Sequence, residues 1–424
     1  MALTRRPIVL SELKPSGRPE PRPRKAARLP LIVLACAGLI LFISIGTRQI
    51  FGLFLTPMEA DLGWGRETFG FAIATQNLVW GLSQPFVGAL ADRFGSGRVI
   101  ALGAAVYILG LIGMASTESA VMFNLSGGLL VGLALSGTGF AVVLGGVARF
   151  VHPSRRGFAF SIVGTTGALG QLAMIPLTHG AIGGFGWIGA FFVLAATASL
   201  IIPLAAALRG RADEDEAEQA SEQTFREALA EARDHKGYWL LNAGFFVCGF
   251  HIAFILTHLP AYISDEGFSV DMGALILIVI GVFNIPSALF FGKLSDHMKK
   301  RTVLSIMYLA RAAIMTMLVL LPTTQTTLLI FGAVMGLLWL ATIPITNAIV
   351  AQVFGVKYVA TLFGITWGVH QLGSFFGAWM GGLIFDLLGS YDLVWWFSAW
   401  MGITAALLHW PIDERALPRL AAAE

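Results

Sequence analysis

The sequence is short of charge. Asp, Glu, Lys and Arg make up 12% of its 424 residues, about half the share a soluble domain carries. With 56% apolar residues and a mean hydropathy of +0.76, the chain lacks the polar surface to stay dissolved. It has to be divided into membrane spans rather than soluble domains. Cysteine is nearly absent. Cys36 and Cys248 both sit in apolar runs and read as small buried hydrophobes, so neither a disulfide framework nor a metal site is expected. No G-x-x-x-x-G-K-[ST] loop occurs, which argues against nucleotide hydrolysis. No segment has the thiol, His or carboxylate arrangement of a catalytic site. The chain reads as a non-enzyme without cofactor or metal. Carboxylates are also missing from the middle of the apolar runs: Asp61, Glu118, Asp265, Asp271, Asp386 and Asp392 all fall at or near ends on one side. That absence argues against a cationic substrate.

What the chain has is apolar length. Twelve segments of about 20 residues, enough to cross the hydrocarbon core, can be cut near 29–58, 69–91, 99–115, 120–148, 157–178 and 187–208, then 238–263, 272–294, 303–320, 326–354, 360–385 and 393–410. Forty-nine glycines suit close helix approach in lipid. Of the 28 Lys and Arg, all but Arg48, Arg66 and Arg311 fall on one side of this layout. Positive loops stay in the cytoplasm, so both termini are expected there. The expected organisation is a disordered basic tail (1–28), a six-helix bundle (29–208), a linker (209–236), a second six-helix bundle (237–412) and a short tail (413–424). The linker opens on the acidic run Asp213-Glu214-Asp215-Glu216. Thr224 with Glu227 then fits a capping box, and Phe225, Ala228, Leu229 and Ala232 share one helical face. Trp395, Trp396, Trp400 and Trp410 are expected at the interface or against lipid.

One motif occurs twice. Gly88-Ala89-Leu90-Ala91-Asp92-Arg93-Phe94-Gly95 returns in degenerate form as Gly292-Lys293-Leu294-Ser295-Asp296, followed by Arg301. The same offset, 204 residues, relates Gly63-Trp64 to Gly267-Phe268, Gly128 to Gly332, Gly132 to Gly336 and Gly164 to Gly368. Twelve spans in two related halves, with G-x-L-x-D-R-x-G after span two and its copy after span eight, resemble the major facilitator superfamily over nearly the whole chain. The resemblance implies secondary transport by alternating access, with a small-molecule substrate bound near the midplane between two bundles. Partners would be that substrate and membrane lipid, with no nucleic acid, and the chain would act as a monomer. It also implies that Gly88, Asp92, Arg93 and Gly95, with Gly292, Asp296 and Arg301, form a conformational gate that helps hold the outward-facing state. Strings in spans one, seven and eleven, such as Gly46-Thr47-Arg48-Gln49 and His370-Gln371-Leu372-Gly373, resemble the branch of monocarboxylate transporters and oxalate–formate exchangers. Several anion transporters of that branch carry an Arg in span eight, but the stretch Gly281–Phe291 here holds no cation.

Arg48 is the best replacement. It lies well inside span one, where a charge costs roughly 2.5–3.5 kcal/mol on insertion scales and must face protein or water. Its guanidinium is a fork for carboxylate or phosphate. The alternative is a structural arginine bonded to helix-end carbonyls or to Glu59. Arg311, in span nine, reads as structural packing. His370 is placed beside Gln371 in span eleven, while His251 and His258 share a face of span seven two turns apart. Each His could bind an anion, carry a coupling proton or simply bond across helices as the neutral ring. Arg48 and His370 are therefore expected to hold a small organic anion from opposite halves, helped by Asn284, Gln49, Gln371 and Trp367. His251, His258 and His370 are the coupling candidates. The span-five string from Gly164 to Gln171 lacks G-P-x-x-G-G, which places drug efflux second. Uptake of a vitamin or aromatic compound, and a non-transporting sensor, complete the alternatives.

Overall fold

The structure, a computed structural model, describes residues 30–152, 155–209, 224–355 and 357–421. The basic tail (1–28) and the acidic run 213–216 lie outside these residues, and the described side chains leave out Ala288, Leu289 and Asp296. Helix is the only way an apolar chain satisfies its own backbone in lipid without closing a barrel. Eight helical stretches are long and apolar enough to cross a membrane. One of them, Arg156–Leu208, is two helices, because Gly186 takes φ 69° and ψ 176° and turns the chain. Three more helices, Arg66–Phe94, Val359–Leu388 and Asp392–His409, are at least as long as a span but fall below that apolarity.

Among the described residues twelve passes result. In the first bundle they are α1 (Leu31–Leu62), α2 (Arg66–Phe94), α3 (Ser96–Ala115), α4 (Ala120–Ala148), α5 (156–185) and α6 (187–208). In the second they are α7 (Lys236–Asp265), α8 (Val270–His297), α9 (Lys300–Leu320), α10 (Gln325–Phe354), α11 (Val359–Leu388) and α12 (Asp392–His409). The short helix Phe225–Asp234 lies before α7 and carries the expected capping box: the Thr224 hydroxyl accepts from Glu227 N–H at 3.3 Å, and Glu227 Oε2 accepts from Thr224 N–H at 2.7 Å.

The repeat in the sequence is a repeat in packing. A Cβ on Gly132 of α4 would meet Gln76 O and Val79 of α2, and one on Gly336 of α10 would meet Ile280 O and Phe283 of α8. Those partners are themselves 204 residues apart. Gly128 against Thr75 and Gly332 against Val279 repeat the relation. Gly63 and Gly267 both adopt positive φ, 65° and 86°, just past the ends of α1 and α7. The α-helix of α4 is interrupted at Gly139 and that of α10 between Leu337 and Thr342. In α10 the freed groups are dressed by side chains. Arg311 donates to Leu338 O and Trp339 O, Ser287 Oγ to Leu337 O at 2.5 Å, and Asn284 Oδ1 accepts from Leu340 N–H at 3.3 Å.

One expectation about aromatics fails. Trp395 is buried against Phe254, Tyr262 and Phe331, because α12 turns that face toward α7 and α10. Trp396, Trp400 and Trp410 are exposed as expected.

Candidate functional site

The two bundles meet along α2 and α11, at the end opposite the repeated motif and down to the middle. At that far end Arg66 opens α2 and is buried. Its Nε donates to both oxygens of Glu59, at 3.0 and 3.1 Å. Its two terminal nitrogens form a fork with Asp265 of α7, at 2.5 and 2.8 Å, and NH1 also donates to the Tyr391 hydroxyl at 3.2 Å. The guanidinium lies 3.7 Å over the Phe385 ring. The backbone N–H groups of Arg66 and Glu67 have no cap from their own side, since the residue before them is Gly65. Asp386 of α11 supplies it, at 2.9 and 2.8 Å. Glu67 accepts from Trp379 Nε1, and His179 of α5 bonds Asp271 of α8 at 2.6 Å. These contacts join the bundles.

At the motif end Gly88, Gly157, Gly164, Gly292, Gly364 and Gly368 face open space, as Gly63, Gly180, Gly183, Gly184, Gly267 and Gly389 do at the far end. The hydrogen bonds described between the bundles gather at the far end and the middle. Asp92 is exposed there and accepts from Arg149 within its own bundle at 3.2 Å, Arg93 lies 5.3 Å over Phe94, and Gly95 reverses the chain with φ 91°. Arg301 bonds Ile412 O at 2.7 Å and, through its backbone, Glu414.

Between these ends lies a chain of polar contacts that crosses the bundle boundary. Arg48 is half-buried near the middle of α1, at the last turn before its α-helix gives way to the 3-10 turn Phe51–Phe54. NH2 donates to Asn77 Oδ1 of α2 at 2.6 Å, and the guanidinium lies 4.9 Å over Trp80. The backbone carbonyl of Asn77 accepts from Gln371 Nε2 of α11 at 3.3 Å, and Gln371 Oε1 faces His370 Nδ1 at 3.1 Å. An aromatic path runs beside the polar one. Trp80 meets Trp367 edge-on at 5.7 Å, and Trp367 stacks flat on His370 at 4.9 Å. Arg48 therefore connects to His370 twice, through amides and through rings.

A cavity of about 10 Å³, room for one water, touches Arg48, Gln76 and Asn77 on one side and Ala253, Leu256 and Thr257 of α7 on the other. Among the described residues no carboxylate lies within ion-pair distance of Arg48. Glu59, the acid that sequence spacing offered it, is taken by Arg66.

Of the residues expected at the site, the structure brings together Arg48, His370, Gln371 and Trp367. Gln49 is buried but outside this chain of contacts. Asn284 is occupied at the α10 break. His258 bonds Tyr391 OH at 3.0 Å and Ala378 O at 2.7 Å, and His251 bonds Ser398 O at 2.9 Å. Both rings thus bridge neighbouring helices. Cys248 is less bland than its apolar run suggested: Thr342 Oγ1 lies 3.2 Å and Arg311 NH1 3.3 Å from its sulfur. The far-end lock escaped the sequence reading, although one cation, Arg66, among the acids of that side was a signal.

Comparison with known proteins places this geometry. The family model for the Major Facilitator Superfamily matches residues 37–378 and, in a second match, 283–424. The MFS-type transporter YcxA of Bacillus subtilis (strain 168) is 25% identical, over 82% of this chain and 86% of its own. The oxalate:formate antiporter of Oxalobacter formigenes is 23% identical over 91% of each. Among solved structures, a D-xylose–proton symporter superposes with a TM-score of 0.71 at 16% identity, covering 92% of this chain and all of that one.

Proposed function

The chain belongs to the major facilitator superfamily, and from that premise we propose that it is a secondary transporter for a small organic anion, seated in a bacterial inner membrane with both termini cytoplasmic. Membership makes it a membrane transporter and not an enzyme; the substrate is our reading. One observation carries it: Arg48, at membrane depth between the bundles, is held by an amide and a ring and not by an acid. A guanidinium without a counter-ion in a low-dielectric site is disfavoured, and a carboxylate on the substrate would supply the missing charge. Binding would draw on groups of both bundles, so the anion itself would favour their closing around it. A similar chain, the oxalate:formate antiporter, carries carboxylates by name, which supports the class and not the compound.

The paired Trp80 and Trp367 favour one refinement. A flat aromatic acid would lay its ring along that path while Arg48 takes the carboxylate. Thermal unfolding of the purified protein with lactate, oxalate, benzoate and nicotinate tests both readings. A ligand that binds only the folded protein raises its stability by RT ln(1 + [L]/Kd), about 2.7 kcal/mol at 100 Kd. Stabilisation by an acid that Arg48→Ala abolishes, and Arg48→Lys partly keeps, is the expected result. Stabilisation by neutral or cationic compounds, unchanged in Arg48→Ala, would move the reading to efflux and leave Arg48 structural.

A further inference from the structure

The small cavity beside Arg48 has a chemistry that anion binding alone leaves unused. It is walled by α1 and α2 of the first bundle and by α7 of the second. Gln76 of α2 is fully buried. Its Nε2 donates to the Gly127 carbonyl of α4 at 3.0 Å. A carbonyl only accepts, so this bond fixes which way the amide is turned. Oε1 is the atom left over, and among the described residues it has no partner. Arg48 lines the same cavity, and its Nε–H is likewise buried and unpartnered among the described residues. A buried polar atom left unmatched is costly. One acceptor and one donor on a single cavity therefore call for a group that supplies both.

The second bundle adds a backbone acceptor. α7 runs through Pro260, which has no N–H to give to the Leu256 carbonyl four residues before it. That carbonyl faces α1, where a Cβ on Gly52 would collide with Leu256 O and come within 3.0 Å of Thr257 O. Gly52, Leu256 and Thr257 all line the cavity. Among the described residues no backbone N–H outside α7 donates to Leu256 O.

We propose that Gln76 Oε1, Arg48 Nε and the Leu256 carbonyl form a hydroxyl-reading subsite that spans the two bundles, and that the substrate is an acid with a hydroxyl group beside its carboxylate. A hydroxyl both donates and accepts. Its O–H donates to Gln76 Oε1 or to Leu256 O, and its oxygen accepts from Arg48 Nε–H. A methyl group in its place leaves all three unmatched. An ammonium has no lone pair for Nε–H and repels the guanidinium. A second carboxylate brings no hydrogen for either acceptor. Size agrees, since about 10 Å³ takes one oxygen-sized group and neither a ring nor a carboxylate. One acceptor belongs to each bundle, so the group that is read also touches both sides of the boundary. That the hydroxyl sits on an acid rests on the anion reading above; that the cavity takes a hydroxyl does not.

Matched pairs of ligands on the purified full chain test this: glycolate against acetate, and mandelate against phenylacetate, with Kd read by thermal shift. The hydroxy acid of each pair should bind about tenfold tighter, because its partner leaves buried polar atoms unmatched. Gln76→Met should pull that ratio toward one. Pro260→Ala, which gives Leu256 O the N–H it lacks, should lower it too. Equal binding within the pairs overturns the subsite and leaves the Arg48 reading standing. A ratio unchanged in Gln76→Met also overturns it, and a ratio that falls there but not in Pro260→Ala removes Leu256 O from it. If Gln76→Met does not fold, the wild-type ratio and Pro260→Ala still decide. Neutral mandelamide that binds tighter than phenylacetamide while no acid binds keeps the subsite and overturns the anion. If neither acids nor amides bind, both readings fall.

Discussion

Three arginines lie off the basic side of the chain, and each finds a different answer to the same electrostatic problem. Arg66 has two carboxylates, Arg311 has carbonyls and a sulfur, and Arg48 has an amide and an indole. Among the described residues Asn77 is the one side-chain acceptor for Arg48, and a hydrogen bond to a charged group is worth about 1.5–3 kcal/mol. Asn77→Ala should therefore weaken binding of the stabilising acid by roughly tenfold or more, read as a rise in Kd by thermal shift; an unchanged Kd would take Asn77 out of the site. That Arg48 was special was legible in the sequence, because a charge in an apolar run needs a reason. Its isolation was not legible. Glu59 stands eleven positions on and looked available, until α1 was seen to be interrupted after Arg48 and Glu59 was found held by Arg66. Asn77 and Trp80 were visible only as polar and aromatic residues of a span, without the face they occupy.

Elements tell a similar story. Apolar runs reveal length, and the twelve passes follow from it. Two of the helices that carry the site fall below the apolarity of the eight spans: α2 holds Gln76, Asn77 and Gln84, and α11 holds His370 and Gln371. The breaks in α1, α4 and α10 left no hydropathy signal, and at α10 the loose backbone groups are satisfied by Ser287, Asn284 and Arg311, far along the chain. The 204-residue offset gives a controlled pair of tests. Gly132→Val and Gly336→Val should each destabilise by about 1–3 kcal/mol, because a side chain there meets a backbone carbonyl of the neighbouring helix. Gly164→Ala and Gly368→Ala, which face open space, should leave the melting temperature nearly unchanged. A tolerant Gly132 or a sensitive Gly164 would break the equivalence. In the linker, the Thr224 N–H and then its hydroxyl hold the Glu227 carboxyl below its ordinary value. Its contribution is therefore complete above the unfolded value of about 4.3 and is lost as pH falls through the lower, folded one. Protection of the amides over Phe225–Asp234, taken relative to their intrinsic exchange rates at each pH, should be present at neutral pH and fall on acidification, and Thr224→Ala should remove that pH dependence.

For the whole molecule, the question is which end opens. The far end is shut by the fork of Arg66 on Asp265 and by Asp386 capping the start of α2, a carboxylate of one bundle on a helix of the other. Asp265→Asn together with Asp386→Asn keeps the shapes and removes both charges. Spin labels on the far ends of α2 and α11 should then report a longer, broader distance, with the motif-end distance shortening. Unchanged distances at both ends would mean that apolar packing alone holds the far end shut. The two-bundle plan was legible from the repeat and from the one-sided Lys and Arg. The lock was not, because a linear sequence does not show which helix ends meet.

That distance along the chain has a meaning in time. Asp265 follows Arg66 by 199 residues, Asp386 by 320 and Tyr391 by 325. Ribosomes add about 5–20 residues per second, so tens of seconds pass between the synthesis of this guanidinium and that of its last partners. During that interval the first bundle is already made and its outer surface carries a cation that the finished protein buries. Glu59, seven residues before it, is the one member of the lock that already exists when Arg66 is made.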